Sequence, residues 1–386
     1  MRELFLLDPG VVFLNHGSFG ACPAEVLEAQ QAWQREMEAN PVEFLGRRSA
    51  ALLAASRQRL ADSLGTDAEQ LVYVANATTG VNTVARSLEL EPGDEVLTTD
   101  HEYGACDAAW EWVSKRAGAR LVRARIPLPF ASDELTERIL SQVTPRTRMI
   151  TLSHITSATA LIFPVAEVCR QARERGIPTL VDGAHAPGHI PLRLDQLGAD
   201  FYTGNCHKWL CAPKGAGFLW ARAEHHRLLH APVISWGYCA EVASHAGFDA
   251  YTGSSVLERR LQWQGTRDIS AFLAVPAALD FLARHGWEAR RRECHALAVE
   301  TRDRVDRLTG LPPIAGAADL GLMAAAALPP GDAEALRAAL FDRYHVEVPI
   351  TTHNGLQLVR VAFHCYNTRA DADALVDALA ELLESS

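Results

Sequence analysis

The sequence predicts an α/β fold: a large domain built on an open, mostly parallel seven-stranded sheet, followed by a smaller α+β C-terminal domain. Three observations predict it. Between "LVYVAN" and "AGFLWA", short β-rich runs alternate with amphipathic helical runs, which is the signature of strand–helix–strand units. From about Ile269 onward the pattern changes to long helical segments with a few short strands. With 386 residues, the chain has length for two or three domains of roughly 100–200 residues each. The expected division is an N-terminal segment, residues 1–20, packing near the small domain and the cleft. A large domain over 21–265 and a small domain over 266–386 follow.

In chain order, the opening "MRELFLLDPGVVFLNHGSFG" does not read as a signal peptide. Its apolar run "LFLL" is short and is broken by Asp8-Pro9-Gly10. The strand expectations are "LVYVAN", "DEVLTT", "ARLVRARI", "RMITLSHI", "PTLVDGA", "DFYTGN" and "AGFLWA". Between them lie helical runs such as "TGVNTVARSLEL" and "PVAEVCRQARERG". In the second, Val165, Val168, Cys169 and Ala172 share one helical face, and Gly176-Ile177-Pro178 ends it. The tail adds helix-rich runs "SAFLAVPAALDFLARHG" and "WEARRRECHALAVETRDRVDRL", strands "GLMAAAAL", "VEVPI" and "LQLVRVAF", and a last helix "RADADALVDALAELLES".

Composition narrows the function classes. Hydrophobic residues make up 48% and charged residues 22%, an ordinary globular balance. The formal net charge of -10 argues against general affinity for nucleic acid or anionic membrane. No stretch approaches the roughly 20 apolar residues of a membrane span. Eight cysteines without small-scaffold spacing suit a reduced, cytoplasmic protein. Cys206 and Cys211, and the histidines of "HHRLLH", have no second ligand pair at zinc-like spacing, so no metal is expected.

In an open parallel sheet, ligands bind at the carboxyl ends of the strands. Two predicted strand ends carry reactive groups there. Asp182 ends the apolar run of "TLVDGAHA"; a carboxylate in that place can bind a metal, orient a base, pair with a buried cationic ring or cap a helix. Lys208 follows the next strand in "TGNCHKWL". A lysine in a partly apolar pocket loses proton affinity, becomes nucleophilic and can form a Schiff base. Lys214, between Pro213 and Gly215, reads as a turn lysine. Together, a Schiff-base lysine and an aspartate able to hold a pyridinium nitrogen are the protein half of pyridoxal phosphate chemistry. A phosphate site is then required. "VYVANATTGVNTVARSL" offers one, where a strand runs into a helix start carrying Thr78 and Thr79.

With these motifs in order, the chain resembles the class V aminotransferase family of fold-type I pyridoxal phosphate enzymes, and within it the isopenicillin N epimerase-like branch. The resemblance runs from "LNHGSFGACP" to "VRVAFHCYNT"; "VDGAHA", "HKWL" and the late "R…YNT" are its most specific parts. It implies that Lys208 carries the cofactor, that Asp182 pairs with the pyridine nitrogen and that His185 sits near the phenolic oxygen. Thr78 and Thr79 would bind the phosphate, with Asn205 and His207 assisting. Tyr103 of "HEYGA" would stack on the ring, and His154 of "TLSHITS" would lie near it. Thr266 of "QWQGTRD" would reach the phosphate of a neighbouring subunit, which implies a homodimer with shared active sites. Arg360 would clamp the substrate carboxylate, for which a guanidinium fork is matched. Asn15, His16 and Arg47, with its neighbour Arg48, would line the substrate cleft.

The cofactor permits several outcomes at the Cα of an amino acid. Cysteine desulfuration needs a loop cysteine upstream of the carboxylate-binding arginine, and no cysteine lies between Cys294 and Cys365. Epimerisation needs Lys208 on one face of Cα and a second acid/base, Tyr103, His154 or a water, on the other. β-Elimination at a C–S bond, as in ergothioneine-type sulfoxide lyases, and transamination need only Lys208. Nearest resemblance favours an amino-acid epimerase or racemase, with C–S lyase and aminotransferase as alternatives. A non-enzymatic regulator on this fold would lack Lys208 or Asp182, and both are present.

Overall fold

The computed structural model describes residues 1–238 and 249–384. Its largest sheet has seven strands. They are β2 (Leu71–Val74), β3 (Glu95–Thr99), β4 (Arg120–Ala124), β5 (Thr147–Ser153), β6 (Thr179–Gly183), β7 (Phe201–Asn205) and β8 (Gly217–Ala221). They lie in the order β2-β8-β7-β6-β5-β3-β4. Only β8 runs against the others. Each of these strands falls inside one of the expected runs except β5, which starts one residue before its run, at Thr147.

Alternation along the strands explains why the sheet is buried on both faces. Leu180, Phe201 and Leu219 point into one apolar cluster, while Val181, Tyr202 and Phe218 point into the other. Successive side chains face opposite ways, so near-continuous apolar runs bury both faces, as a helix-covered parallel sheet demands. The helix Val165–Glu174 presents the face read from the sequence, burying Val165, Val168, Cys169 and Ala172.

The C-terminal part contributes β9 (Met323–Ala327), β10 (Val346–Glu347), β11 (Ile350–His353) and β12 (Leu356–Ala362). β9, β11 and β12 form an antiparallel sheet in the order β11-β12-β9. One expectation is corrected here and another is sharpened. "VEVPI" is not one strand: Pro349 has no N–H for a ladder, and the chain divides into β10 and β11. The sharpened reading is the helix-rich run "SAFLAVPAALDFLARHG", which forms two helices, Ser270–Leu273 and Val275–Arg284, with Pro276 in the first turn of the second.

The N-terminal segment is tied to this part. Its short strand β1 (Val12–Phe13) pairs in parallel with β10, and Asn15 bridges to Ala362. The same segment touches the large sheet's functional edge. Gly20 has φ +71°, and a Cβ there would lie 2.1 Å from the His207 carbonyl oxygen and 3.0 Å from Lys208 Cα. Only glycine allows that approach. No helix among the described residues is long and apolar enough to cross a membrane.

Candidate active site

Five strand ends meet at one cavity of about 210 Å³. Asn76, Ala77 and Thr78 follow β2; Tyr103 follows β3; Ser153 and Ile155 come at and just beyond the end of β5. Asp182, Ala184 and His185 come from β6, and Asn205, His207 and Lys208 from β7. Ser18 and Phe19 of the N-terminal segment, with Ser157, complete the lining. Ser153 and Asp182 are register partners in adjacent strands, so their side chains share a face.

Lys208 lies inside this cavity. Burial, assisted by the Arg360 charge, lowers its amine from the usual lysine range to about 7. Its Nζ is 3.1 Å from His185 Nε2. The indole N–H of Trp209 donates to His185 Nδ1 at 3.4 Å, and burial keeps the ring neutral. A neutral imidazole that accepts at Nδ1 carries its own proton on Nε2. That proton faces the lone pair of an uncharged Lys208 amine, so the network favours the nucleophilic form. Lys214 stays exposed in the turn before β8.

Asp182 forms the opposite pole. It is 6% exposed; Oδ1 accepts from the Ala184 N–H at 2.9 Å and Oδ2 from the Cys106 thiol at 3.3 Å. Burial raises its proton affinity against those two donors. Among the described residues no cation pairs with it. A buried carboxylate without a counter-ion is costly, and a protonated ring nitrogen would supply one.

The helix Ala77–Ser87 provides the anion end. Asn76 caps it, its Oδ1 accepting from the N–H and the hydroxyl of Thr79 at 2.9 and 3.1 Å. Asn205 Oδ1 accepts from the Ala77 N–H at 2.8 Å. The Thr78 N–H has no acceptor among the described residues. A free N–H on the positive end of a helix, inside a cavity, suits a phosphate. Gly80 lets this helix sit on the sheet, since a Cβ there would fall 2.0 Å from Thr203 Oγ1.

Arg360, on β12, stands at the rim and is 4% exposed. One terminal nitrogen donates to the Ser157 carbonyl (2.6 Å) and hydroxyl (3.2 Å). The other donates to Ser18 Oγ (3.0 Å) and Asn15 Oδ1 (3.4 Å). Its Nε is buried with no acceptor. Burial lowers the guanidinium only to about 10, so it stays cationic at neutral pH.

Several expected residues fall elsewhere. His154 does not line the cavity. Ser153 and Ile155 do, and alternation turns His154 to the other face, where its Nδ1 meets Tyr202 Oη at 3.0 Å. Burial holds it down at about 4. Thr79 spends both its donors on the Asn76 cap. His16 is fully buried behind the lysine: Nε2 is 3.0 Å from the Lys208 carbonyl, Nδ1 is 2.8 Å from Tyr366 Oη, and the ring stacks on His364. Asn15 lies beside Arg360, outside the cavity. Arg47 is exposed on the turn Phe44–Arg48, and Arg48 pairs with Glu36 and Glu43. Thr266 is exposed and does not line the cavity. His207 lines it, with Nδ1 held at 2.8 Å from the Ala216 carbonyl. Tyr103 lines it while 49% exposed.

Asn76, Ser153, Ser157, Ser18 and Phe19 went unread in the sequence. The period of two along β5 is the signal that finds Ser153, and an Asn directly before a helix start is the one that finds Asn76. No cysteine lines the cavity among the described residues. Cys206 and Cys211 are buried in the apolar core, and Cys365 packs against His364.

An amine of lowered proton affinity, a buried carboxylate without a cation and a helix start with a free N–H, all at the carboxyl edge of a parallel sheet, fit pyridoxal phosphate. They define a fold-type I pyridoxal-phosphate-dependent enzyme. The chain belongs to the class V aminotransferase family, whose model ("Aminotransferase class-V") matches residues 12–375. It is 40% identical to the isopenicillin N epimerase of Amycolatopsis lactamdurans, over 99% of this chain and 97% of that protein. It is also 40% identical to the isopenicillin N epimerase of Streptomyces clavuligerus, over 98% and 96%. Among solved structures, the cysteine desulfurase CsdA of Escherichia coli superimposes with a TM-score of 0.80 at 25% identity, covering 99% of this chain and 97% of that one.

Proposed function

We propose that the protein epimerises an α-amino acid at Cα. The observation that carries this reading is that the cavity holding the Lys208 amine, lowered to about 7, with Arg360 at its rim, is also lined by Tyr103, whose hydroxyl is unpartnered among the described residues. The two 40%-identical epimerases support it. When bound, pyridoxal phosphate supplies a carbonyl carbon for the amine and a ring that accepts the electrons left when a bond at Cα breaks. Asp182 holds the ring nitrogen, and the Thr78 N–H, with Asn205 bracing the helix start, receives the phosphate. His185 orients Lys208. Arg360 fixes the substrate carboxylate, so that Cα–H points at Lys208, which takes the proton from one face. The proton returned to the other face comes from Tyr103 or from water.

The enzyme acts as a homodimer on this reading. Thr266, exposed and outside its own chain's cavity, serves the neighbouring subunit's phosphate. Residues 1–20, 21–265 and 266–386 divide as cleft-lining segment, large domain and small domain. The seven described cysteines, all free, suit the cytoplasm.

The test incubates holoenzyme with L-amino acids in D₂O and follows Cα by NMR and chiral chromatography. Deuterium at Cα with inversion is expected. Pyruvate and ammonia from S-substituted cysteines, or net keto-acid formation without inversion, would replace the proposal with lyase or transaminase. Lys208→Ala should abolish exchange and the visible absorbance of the lysine-bound cofactor.

A further inference from the structure

A second cavity, of about 410 Å³, shares Phe19 with the first. Leu7, Val11, Phe13 and Phe19 form its apolar wall, and Asp8 and Glu347 its acidic one. Phe19 lines both cavities and is 75% exposed. The reaction cavity, at about 210 Å³, is smaller than the ~300–1,000 Å³ that ligand pockets usually span. Its lining is the set that fits the cofactor. A substrate's side chain therefore has to leave it.

The exit is marked by the arginine. Arg360 touches Asn15 Oδ1, and the Asn15 Nδ2–H donates to Glu347 Oε1 at 3.2 Å. One amide thus joins the carboxylate clamp to the acidic wall of the second cavity. A substrate fixed by its carboxylate at Arg360 sits on the boundary between the two spaces, with Phe19 beside its side chain.

The charge of the second cavity is unspent. Asp8 Oδ1 accepts from the Gly10 N–H and Glu347 Oε1 from Asn15. The other oxygen of each carboxylate has no donor among the described residues. The nearby Arg2 donates to the carbonyls of Asp8 and Val11, not to either carboxylate.

Building on the Cα-epimerase reading, we propose that this second cavity is the side-chain subsite. It selects α-amino acids whose side chain is apolar next to Cα and ends in a cation, an ammonium or a guanidinium. The aliphatic stem packs on Val11, Phe13 and Phe19, and the cation lies between Asp8 and Glu347.

Cα deuterium exchange by holoenzyme distinguishes the possibilities, using alanine, norleucine, lysine, homoarginine and 2-aminoadipate. Lysine and homoarginine should exceed norleucine in kcat/KM by about fivefold or more, the range two partly exposed ion pairs support, and 2-aminoadipate should fall below norleucine. The lysine-to-norleucine ratio should drop towards one in Glu347→Gln combined with Asp8→Asn. Glu347→Gln keeps the acceptor for Asn15, and Asp8→Asn alone, at an exposed position, gives a milder version of the same drop. Equal or better turnover of 2-aminoadipate, or a ratio that survives both substitutions, overturns the subsite. Alanine is too short to enter the second cavity. Exchange of the panel without cation preference refutes the subsite alone, and no exchange of any of the five amino acids refutes the epimerase reading with it.

Discussion

Replacing Arg360 with alanine gives the sharpest separation between holding the substrate and holding the cofactor. The guanidinium is 4% exposed and makes four contacts, to Ser157, Ser18 and Asn15, while its Nε has no acceptor. A substrate carboxylate that takes two of its N–H groups forms charge-assisted hydrogen bonds worth about 1.5–3 kcal/mol each. Losing both costs about 3–6 kcal/mol, or about 10²–10⁴ in kcat/KM. Arg360 is absent from the lining that fits the cofactor, so cofactor affinity and visible absorbance should change little. The assay is Cα deuterium exchange of an amino acid and of its carboxamide by wild type and Arg360→Ala, alongside a cofactor titration. Wild type should prefer the acid strongly, and the variant should lose that preference. The reasoning fails if wild type exchanges the carboxamide as readily as the acid. It also fails if the variant loses cofactor and substrate together.

Two further outcomes follow from the same geometry. With the Lys208 amine near 7, the uncharged form is about a tenth of apoenzyme at pH 6 and about nine tenths at pH 8. The rate at which apoenzyme captures pyridoxal phosphate should therefore rise about tenfold across that interval, and a flat stopped-flow profile would show that burial does not set the lysine's proton affinity. Gly20→Ala forces an alanine into φ +71°, ψ 160° against the His207 carbonyl. The backbone conformation alone costs about 1–3 kcal/mol. Because the clash falls on the peptide before Lys208, urea midpoint and cofactor affinity should both drop; a variant with the wild-type values of both would refute the close approach.

The sheet was legible because most of its strands are buried on both faces, which writes them as compact apolar runs, and the ends of β6 and β7 bring in Asp182 and Lys208, the two groups whose chemistry needs a partner. Lys208 and Asp182 declare themselves by type and place. What lay hidden depends on direction rather than position. His154 and Ser153 are neighbours, and only the pleat decides that the serine faces the cavity. Thr78 and Thr79 look equivalent in "ATTG", yet the Asn76 cap consumes the donors of one and leaves the N–H of the other. His16, expected along the substrate cleft, lies instead behind Lys208 and meets its backbone carbonyl, because Gly20 lets the N-terminal segment press on that turn. The β11–β12 hairpin carried a readable signal, Asn354-Gly355, both at positive φ, the pair that two-residue hairpins favour. It was obscured by Pro349 and by the shortness of β10.

The residues common to every reaction of this cofactor do not separate one reaction from another, so the deciding feature has to be what stands away from Lys208. Five titratable side chains line the cavity: Tyr103, Asp182, His185, His207 and Lys208. Asp182 is engaged by Ala184 and Cys106, His185 by Trp209 and Lys208, and His207 by the Ala216 carbonyl. His154, the other candidate for the second proton, faces Tyr202 outside the cavity. Tyr103 is left: half-exposed, at the N-cap of the helix Gly104–Ala117, with its hydroxyl unpartnered among the described residues. Elimination and transamination need nothing from that wall, whereas epimerisation needs a proton delivered from it. On the proposed epimerase reading, the choice between these outcomes on one constellation of Lys208, Asp182 and Arg360 therefore turns on Tyr103, and replacing it with phenylalanine should cost inversion more than Cα exchange.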